Sequence, residues 1–406
     1  MAVARRQRFP ARVVARVLEA LSTGLSYSKA GALALDLLPR GHGRRPRKSP
    51  STPPKPRVRT STRKRERRSP SSRLANRRWH IGADITEAFA PVVWAETERR
   101  LRLRAEQMAR QGDVLVWILD EKPVHATDEA GKRKKTDGWS LHVLAELDWT
   151  DTDVPGRTRL RLVRALPKST STAWRLLFDE VGYRPDIIVS DGGTPILAAV
   201  DAHFRGDPDP PLYVPSVWHI KQALRKNSYA RAMKGPNAAA IASHLDHLHR
   251  DAALFSPEAW AQWWDVLRAL GGDLVVPSDF DQTRNNYFER MARAIPRLAT
   301  DDRLKISTGG LESVLQDVER VLVRRAFQYG NVERTNHLMD LVVAQNNGML
   351  TDHAAVVRLI EADEMPYRGW TVPMRTIEDP QPRNSRYSSL RDESLMRAVA
   401  AARGLL

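Results

Sequence analysis

The stretch VLVWILD at residues 114–120 is a continuous apolar run that ends in an aspartate. An uninterrupted run of this kind is typical of a central strand that is buried on both faces of an α/β sheet. The residues before it follow a helical pattern, and those after it alternate between strand and helix patterns. The run therefore marks the start of a sheet.

The pattern downstream of this run predicts a sheet with helical crossovers. Strands are predicted at 139–149, 158–165, 186–191 and 212–217, and helices at 169–181 and 194–204. The resulting order, β-β-β-α-β-α-β, is that of an open sheet whose strands are connected by helices. The sequence therefore predicts an α/β fold.

The remaining apolar periodicity is helical. Helices are predicted at 85–111, 311–326 and 332–345, and the stretch 220–300 is mostly helical. Near the N-terminus, residues 10–39 contain two helical stretches separated by Ser22-Thr23-Gly24. A helix-turn-helix and an ordinary helical hairpin fit this pattern equally well.

Positive charge is concentrated in one segment. The chain has a net charge of +17, and residues 40–79 hold 16 Lys and Arg residues with one acid, so the remainder carries only +2. Because the segment 40–78 is also rich in proline, it is predicted to be a disordered basic linker. Nucleic acid is the expected partner. The alternative is a solvated spacer that binds nothing specific.

Composition excludes several classes of protein. The 406 residues include no cysteine, which excludes disulfide scaffolds, thiolate metal sites and cysteine nucleophiles. No uncharged apolar run reaches the ~18 residues needed to cross a bilayer, and no signal-peptide pattern opens the sequence. We therefore expect a cytoplasmic protein without membrane association.

Two acidic residues follow predicted buried strands. Asp120 ends the first strand, and Asp191 follows Ile187-Ile188-Val189-Ser190 and precedes two glycines. Each alone could be a solvated residue at a strand end. If the two strands are neighbours, however, the carboxylates converge and need a cation between them. Magnesium or manganese suits such hard oxygen ligands.

A third acid would complete such a site, and Glu312 is the first candidate. It lies in the first turn of the helix predicted at 311–326, beside its apolar stripe. The alternative is that Glu312 only stabilises the start of that helix. Glu333, at the start of the next helix, and Glu319, seven residues after Glu312, are rival candidates.

Four short motifs resemble those of bacterial insertion-sequence transposases of the DDE type. They are SDGG at 190–193, VWH at 217–219, STGGLE at 307–312 and RRAFQYGNVER at 324–334. The resemblance covers roughly residues 110–350. It implies an RNase H-like mixed sheet flanked by helices, with an inserted all-α subdomain and an N-terminal helical DNA-binding region.

The resemblance also implies a catalytic site. Asp120, Asp191 and Glu312 match the three acids that bind two Mg²⁺ or Mn²⁺ ions, with Glu333 as the alternative third acid. His219 matches the histidine of a Cys-x-x-His element, in which Ser216 here replaces the cysteine. His219 is then expected to contact phosphate or to be a buried structural residue.

The function implied is metal-dependent cleavage and strand transfer of transposon DNA ends. The partners would be double-stranded terminal inverted repeats and target DNA, and the protein would act in a bacterial nucleoid as a homodimer or larger synaptic complex. The alternatives are a non-catalytic DNA-binding protein derived from a transposase and a metal-dependent nuclease without strand transfer. The residues expected to contact DNA are Arg44, Arg45, Arg63, Lys64, Arg67, Arg68, His219, Arg324 and Arg325.

The domain organisation predicted from these patterns has seven parts. They are an N-terminal helical region (1–39), the basic linker (40–78), a helical connector (79–112), the first part of the core (113–219), the helical insertion (220–305), the second part of the core with the catalytic helix (306–350) and a C-terminal tail (351–406).

Two side-chain clusters fall in the predicted insertion. Trp260, Trp263 and Trp264 recur at helical spacing, which favours a stripe facing the core over a DNA-stacking surface. His244, His247 and His249 lack the acid of a metal-binding motif and are predicted to lie on a solvated helix face.

Overall fold

The sheet predicted from the sequence is present at the centre of the molecule. The structure, a computed structural model, describes residues 6–7, 9–38, 70–124, 139–166, 169–226, 228–248, 256–301, 303–304, 308–323, 332–362 and 372–373. The predicted DNA contacts from Arg44 to Arg68, together with Arg324, Arg325 and His249, lie outside these residues.

Five strands form one mixed sheet. They are β1 (Val116–Val124), β2 (Trp139–Asp148), β3 (Arg157–Leu166), β4 (Ile187–Ser190) and β5 (Leu212–Pro215). The strand order is β3-β2-β1-β4-β5, in which β1, β2 and β3 pair antiparallel and β1, β4 and β5 pair parallel. The predicted mixed sheet flanked by helices is therefore confirmed.

Helices make up most of the rest of the described chain. The helices are α1 (Ala11–Ser22), α2 (Tyr27–Asp36), α3 (Pro70–Gln111), α4 (Ser171–Val181), α5 (Thr194–His203), α6 (Val217–Lys226), α7 (Tyr229–Ala232), α8 (Ala238–His247), α9 (Pro257–Gly271), α10 (Pro277–Leu298), α11 (Gly309–Val323), α12 (Val332–Asn346) and α13 (His353–Ala362). No helix in the described ranges has both the length and the apolar character needed to cross a bilayer.

Two boundaries differ from the prediction. Helix α3 begins at Pro70, so the prediction of a disordered linker is wrong for residues 70–78. Proline is well suited to the first turn of a helix, where its missing N–H costs no hydrogen bond. Strand β1 continues past Asp120 to Val124, because β2 goes on pairing with it as far as Trp139.

The sheet separates two apolar layers. On one face, Trp117 and Leu119 of β1 pack against α4 and α5. On the other face, Val116 and Ile118 belong to a larger core that includes residues of α1, α3, α6, α11 and α12. Asp120 follows the alternation of Val116 and Ile118, which places it on the face with the larger core.

Strand β3 is an edge strand whose outer backbone groups are covered by α12. The side chain of Asn336 accepts a hydrogen bond from Ala165 N–H at 2.7 Å, and Asn346 accepts one from Leu160 N–H at 2.8 Å. The Asn347 amide donates to the Leu160 carbonyl at 2.7 Å. At these positions the edge backbone groups are already hydrogen-bonded, so another strand could not pair with them.

The helices between β5 and α11 extend the larger core with a group of buried aromatic residues, the tryptophan cluster Trp260, Trp263 and Trp264. Trp260, Trp263 and Trp264 are buried and pack on one another, which confirms the prediction of a core-facing stripe. The prediction of a solvated face is wrong for His244, whose Nε2 lies 2.8 Å from the Trp263 carbonyl and whose ring stacks on Trp263. His247 is exposed.

The two N-terminal helices pack on the body of the protein. Helix α1 contacts α12 and α13, and α2 lies along α3. Two glycines permit a close crossing of α2 and α3. A Cβ on Gly31 would lie 1.8 Å from the Arg78 carbonyl oxygen, and one on Gly82 would lie 2.3 Å from the Tyr27 carbonyl oxygen.

Because of this close crossing, replacing glycine by alanine in the helix is expected to lower stability instead of raising it. At an exposed helical position, alanine stabilises by about 1 kcal/mol relative to glycine. We expect Gly82→Ala to destabilise the protein by about 1–3 kcal/mol instead, because a backbone carbonyl occupies the space of the new methyl group. Urea unfolding measures the difference.

The control lies in the same helix. Ala95→Gly, at an exposed position of α3, should cost about 1 kcal/mol. A Gly82→Ala variant more stable than the wild type would show that α2 and α3 are not in this close contact.

Candidate active site

The pairing of β1 with β4 brings the first two aspartates together. The parallel register matches Val116 with Ile187 and Ile118 with Val189. Two residues beyond Ile118 and Val189 are Asp120, which lies in β1, and Asp191, which directly follows β4. Neighbouring strands lie about 4.8 Å apart, so the two carboxylates project side by side where β4 ends.

The turn after β4 is built to present Asp191. Gly192 has a φ of 80°, a left-handed conformation that glycine adopts without strain. The N–H of Gly193 donates to Asp191 Oδ1 at 2.8 Å, and the N–H of Gly192 donates to Ser190 Oγ at 3.2 Å. The first bond fixes one carboxylate oxygen and leaves the second as a potential ligand.

Helix α11 brings Glu312 to the same face. The Thr308 carbonyl accepts the N–H groups of Leu311 and Glu312 at 2.9 and 3.2 Å and so begins the helix. Two turns further along α11, Glu319 forms an ion pair with Lys122 of β1. Asp120 and Lys122 share one face of β1, as Glu312 and Glu319 share one side of α11. The ion pair therefore aligns α11 with the part of β1 that holds Asp120.

The charges of these groups act on one another. Burial, together with the negative charges of Asp191, Glu312 and Glu121, raises the pKa of Asp120 to about 7, against a hydrogen bond from Glu121 N–H. That hydrogen bond measures 2.8 Å to Asp120 Oδ1. The three predicted acids thus converge closely enough for Asp191 and Glu312 to disfavour ionisation of Asp120.

His219 lies at the border of this cluster, in the first turn of α6. Burial lowers its pKa, while the charges of Asp191 and Glu312 oppose that effect and Lys226 adds to it. The Nδ1 atom of His219 lies 3.4 Å from Thr308 Oγ1. The imidazole therefore connects the start of α6 with the start of α11.

Ser216, in the position of the motif's cysteine, has a structural role. Its Oγ accepts the Thr308 N–H at 3.3 Å and lies 3.2 Å from Thr308 Oγ1. Both side chains are buried. A hydroxyl suits this contact as acceptor and donor, so the replacement leaves no gap. Thr308, which the sequence analysis missed, links two segments that lie 92 residues apart.

The rival third acids lie elsewhere. Glu333 is exposed in the first turn of α12 and is absent from the charges that shift the pKa of Asp120, and Glu319 is paired with Lys122. Glu121, which was not predicted as a site residue, lies on the opposite face of β1, and its buried Oε2 has no hydrogen-bond partner among the residues that the structure describes. Its position beside Asp120 was the one available signal.

The shifted pKa of Asp120 predicts how stability depends on pH. The folded-state pKa of about 7 exceeds the unfolded value of 3.8, so ionising Asp120 opposes folding. This penalty is absent below about pH 4, grows as the pH rises towards 7 and is complete above it. We expect Asp120→Asn to raise Tm by roughly 5 °C at pH 8 in EDTA, with no gain at pH 4.

Thermal unfolding across this pH range tests the prediction. Asp265→Asn, on the exposed face of α9, is the matched control and should leave Tm unchanged at every pH. An equal Tm for Asp120→Asn and the wild type at pH 8 would contradict the raised pKa of Asp120.

The donor chemistry of the cluster fits a hard divalent cation. Three carboxylates share one face of the sheet, and no described Lys or Arg forms an ion pair with any of them. A cation would offset both the burial of Asp120 and the repulsion among the carboxylates, which together raise its pKa. Among the described residues, no group of three or more His, Asp or Glu side chains already has the close arrangement of a metal site.

Comparison of the chain with known protein families and with curated proteins finds no match.

Proposed function

We propose that this protein is a DDE-type transposase that cleaves and joins DNA by metal-dependent phosphoryl transfer. The observation that carries the proposal is the parallel pairing of β1 with β4, which puts Asp120 beside Asp191, at a place where the charges of Asp191 and Glu312 both act on Asp120. Three acids spaced far apart in the sequence act on one another at the point where β4 ends. The short motifs around Asp191, His219 and Glu312 give the cluster its resemblance to transposases.

The topology supports an RNase H-like core. In the strand order β3-β2-β1-β4-β5, an antiparallel meander precedes two parallel strands that are connected through helices. The helices α6 to α10 lie between β5 and α11, where the resemblance calls for a helical insertion between the second aspartate and the glutamate. Both features are consistent with the proposed class of enzyme.

The residues of the cluster have distinct tasks in this proposal. Asp120 and Asp191 hold the metal from adjacent strands, and Glu312 closes the set from α11. Two Mg²⁺ or Mn²⁺ ions, when bound, supply Lewis-acid stabilisation and lower the pKa of attacking water or a 3′-hydroxyl. His219, at the border of the cluster, is assigned a contact with a phosphate oxygen. No protein nucleophile is required, so no covalent protein–DNA intermediate forms.

DNA would be held by positive charge outside the cluster. The basic segment and the arginines at 324 and 325 are proposed to contact phosphates, which positions a duplex without reading its sequence. Because two transposon ends must be brought together, the proposed working unit is a homodimer or a larger complex.

Supercoiled-plasmid nicking and strand transfer with Mg²⁺ test the proposal. We expect Asp120→Ala, Asp191→Ala and Glu312→Gln to lose more than about 100-fold in both activities, because each removes a metal ligand. The matched control is Glu333→Gln, which changes a first-turn glutamate of the next helix and should retain activity.

Each contrary outcome has a clear meaning. Equal nicking by the wild type and both aspartate variants would show that the assigned residues do not form the site. If the wild type and all the variants bind DNA but none of them cleaves it, the non-catalytic alternative is favoured. Nicking without strand transfer would favour a nuclease.

We propose a second contact with DNA on the exposed face of α6, where Arg225 also lies 3.9 Å from Asp246. We define this face as Trp218, Gln222, Arg225 and Lys226. Trp218 is 47% exposed, the one aromatic among the large exposed apolar side chains of the described residues, and its ring packs 4.6 Å from that of His219. Arg225 and Lys226 are exposed at the other end of the helix. An aromatic ring followed by cations suits an unpaired strand.

This face predicts a selective loss of affinity. We expect Trp218→Ala to weaken binding of a single-stranded oligonucleotide about 10-fold, since stacking contributes ~1–3 kcal/mol per base. Trp218→Phe should keep most of the affinity. Fluorescence anisotropy in EDTA measures binding without cleavage, and Leu274→Ala, another exposed apolar position, is the control. Unchanged affinity in Trp218→Ala would exclude stacking at this position.

A further inference from the structure

Helix α10 touches the loop that presents Asp191. The hydroxyl of Tyr287 donates a hydrogen bond to the backbone carbonyl of Asp191 at 3.2 Å. Tyr287 is buried, and a Cβ on Gly192 would lie 2.7 Å from its ring atom Cε1. The ring therefore packs directly on the glycine that turns the chain after β4.

The same helix is fixed to the core by a second residue, one turn away. Arg290 forms an ion pair with Asp201 of α5 at 3.0 Å, and its guanidinium lies 5.2 Å from the ring centre of Tyr213. The Tyr213 hydroxyl is in turn hydrogen-bonded to Ser190, the last residue of β4. Helix α10 thus contacts Asp191 directly and the end of β4 through Tyr213.

The other side of α10 belongs to the tryptophan cluster. Trp260 of α9 donates from Nε1 to the Phe288 carbonyl at 3.2 Å, and its ring stacks on that of Phe288. Residues 287 and 288 therefore face two different parts of the protein. One turn of α10 therefore connects the tryptophan cluster with the loop that presents Asp191.

We propose that Tyr287 is a positioning residue that sets the divalent-cation affinity of the carboxylate site by fixing the backbone of Asp191. This inference rests on the proposed function, because it takes Asp120, Asp191 and Glu312 as the ligands. It assigns to the helices between β5 and α11 a direct contact with that site. The hydroxyl of Tyr287, and not merely its ring, is the group responsible.

The geometry explains why a single hydroxyl matters here. Gly192 has no side chain to restrict its φ and ψ, so the turn has more conformational freedom than any other residue would allow. The hydroxyl bond fixes the peptide group just before this glycine, while the Gly193 N–H fixes the carboxylate. Outer contacts of this kind typically change metal affinity 10–100-fold.

Manganese binding to the metal-free protein, followed by electron paramagnetic resonance, tests the inference without relying on activity. We expect Tyr287→Phe to bind Mn²⁺ about 10-fold more weakly than the wild type. The matched control is Tyr229→Phe, which removes the hydroxyl of another buried tyrosine in the same helical region, one with no hydrogen-bond partner in the described part of the chain. Its Mn²⁺ affinity should be unchanged.

A second measurement separates positioning from loss of structure. Both phenylalanine variants should keep the wild-type circular dichroism, and raising the Mn²⁺ concentration should restore nicking by Tyr287→Phe to the wild-type rate. If Tyr287→Phe instead lost its fold, hydrogen exchange of the Gly192 and Gly193 amides in the wild type, with and without Mn²⁺, would report on the loop directly. Exchange unaffected by Mn²⁺ would overturn the inference.

The outcomes distinguish this inference from the proposed function. Mn²⁺ binding that is absent in the wild type, or unaffected by Asp120→Ala, would overturn the metal site itself and both proposals. Binding that Asp120→Ala abolishes but Tyr287→Phe leaves unchanged would overturn only the role of Tyr287. An equal loss in Tyr229→Phe would show a general effect of buried hydroxyls and would also overturn it.

Discussion

The parallel pairing of β1 with β4 is the contact on which the candidate site depends. It aligns Ile118 with Val189, so that Asp120 and Asp191 come next on the same face. A shift of one residue in either strand would turn one carboxylate to the opposite face, where α4 and α5 pack. The apolar residues that precede each aspartate therefore do more than fill the core, since their alternation selects the face on which the charges meet.

Another buried charge in the sheet, that of Arg164, is stabilised by ion pairs with residues of opposite charge. Arg164 of β3 is buried between Glu180 and Asp340, with distances of 2.9 Å from Nε to Oε1 and 2.6 Å from Nη1 to Oδ1. Burial lowers the pKa of Arg164, but the two carboxylates outweigh it and raise the pKa overall. The contrast with Asp120 is informative, because the partners of Asp120 have the same sign of charge as Asp120 itself.

Sequence patterns predicted the local part of this structure and missed most of its long-range contacts. The five strands follow from apolar runs and alternation, and the positions of Asp120 and Asp191 follow from the ends of those runs. The extension of β1 past Asp120 could not be predicted, because Glu121-Lys122-Pro123 is polar and its pairing depends on β2. His244 was wrongly assigned to a solvated face, since its partner Trp263 lies on another helix. The contacts of Thr308 with Ser216 and of Tyr287 with Asp191 span 92 and 96 residues, beyond any periodicity.

The candidate site is assembled from three separate segments, and this makes cation binding and tertiary structure interdependent. In the metal-free protein, burial and the charges of Asp191 and Glu312 disfavour ionisation of Asp120, so the ionised carboxylate opposes folding at neutral pH, and part of that opposition is repulsion between α11 and β1. The Lys122–Glu319 ion pair and the Ser216–Thr308 contact hold α11 in place against that repulsion. A bound cation would reverse the sign of the interaction and make the same approach favourable. The carboxylates that weaken the metal-free fold are thus the groups that would couple ligand binding to the docking of α11.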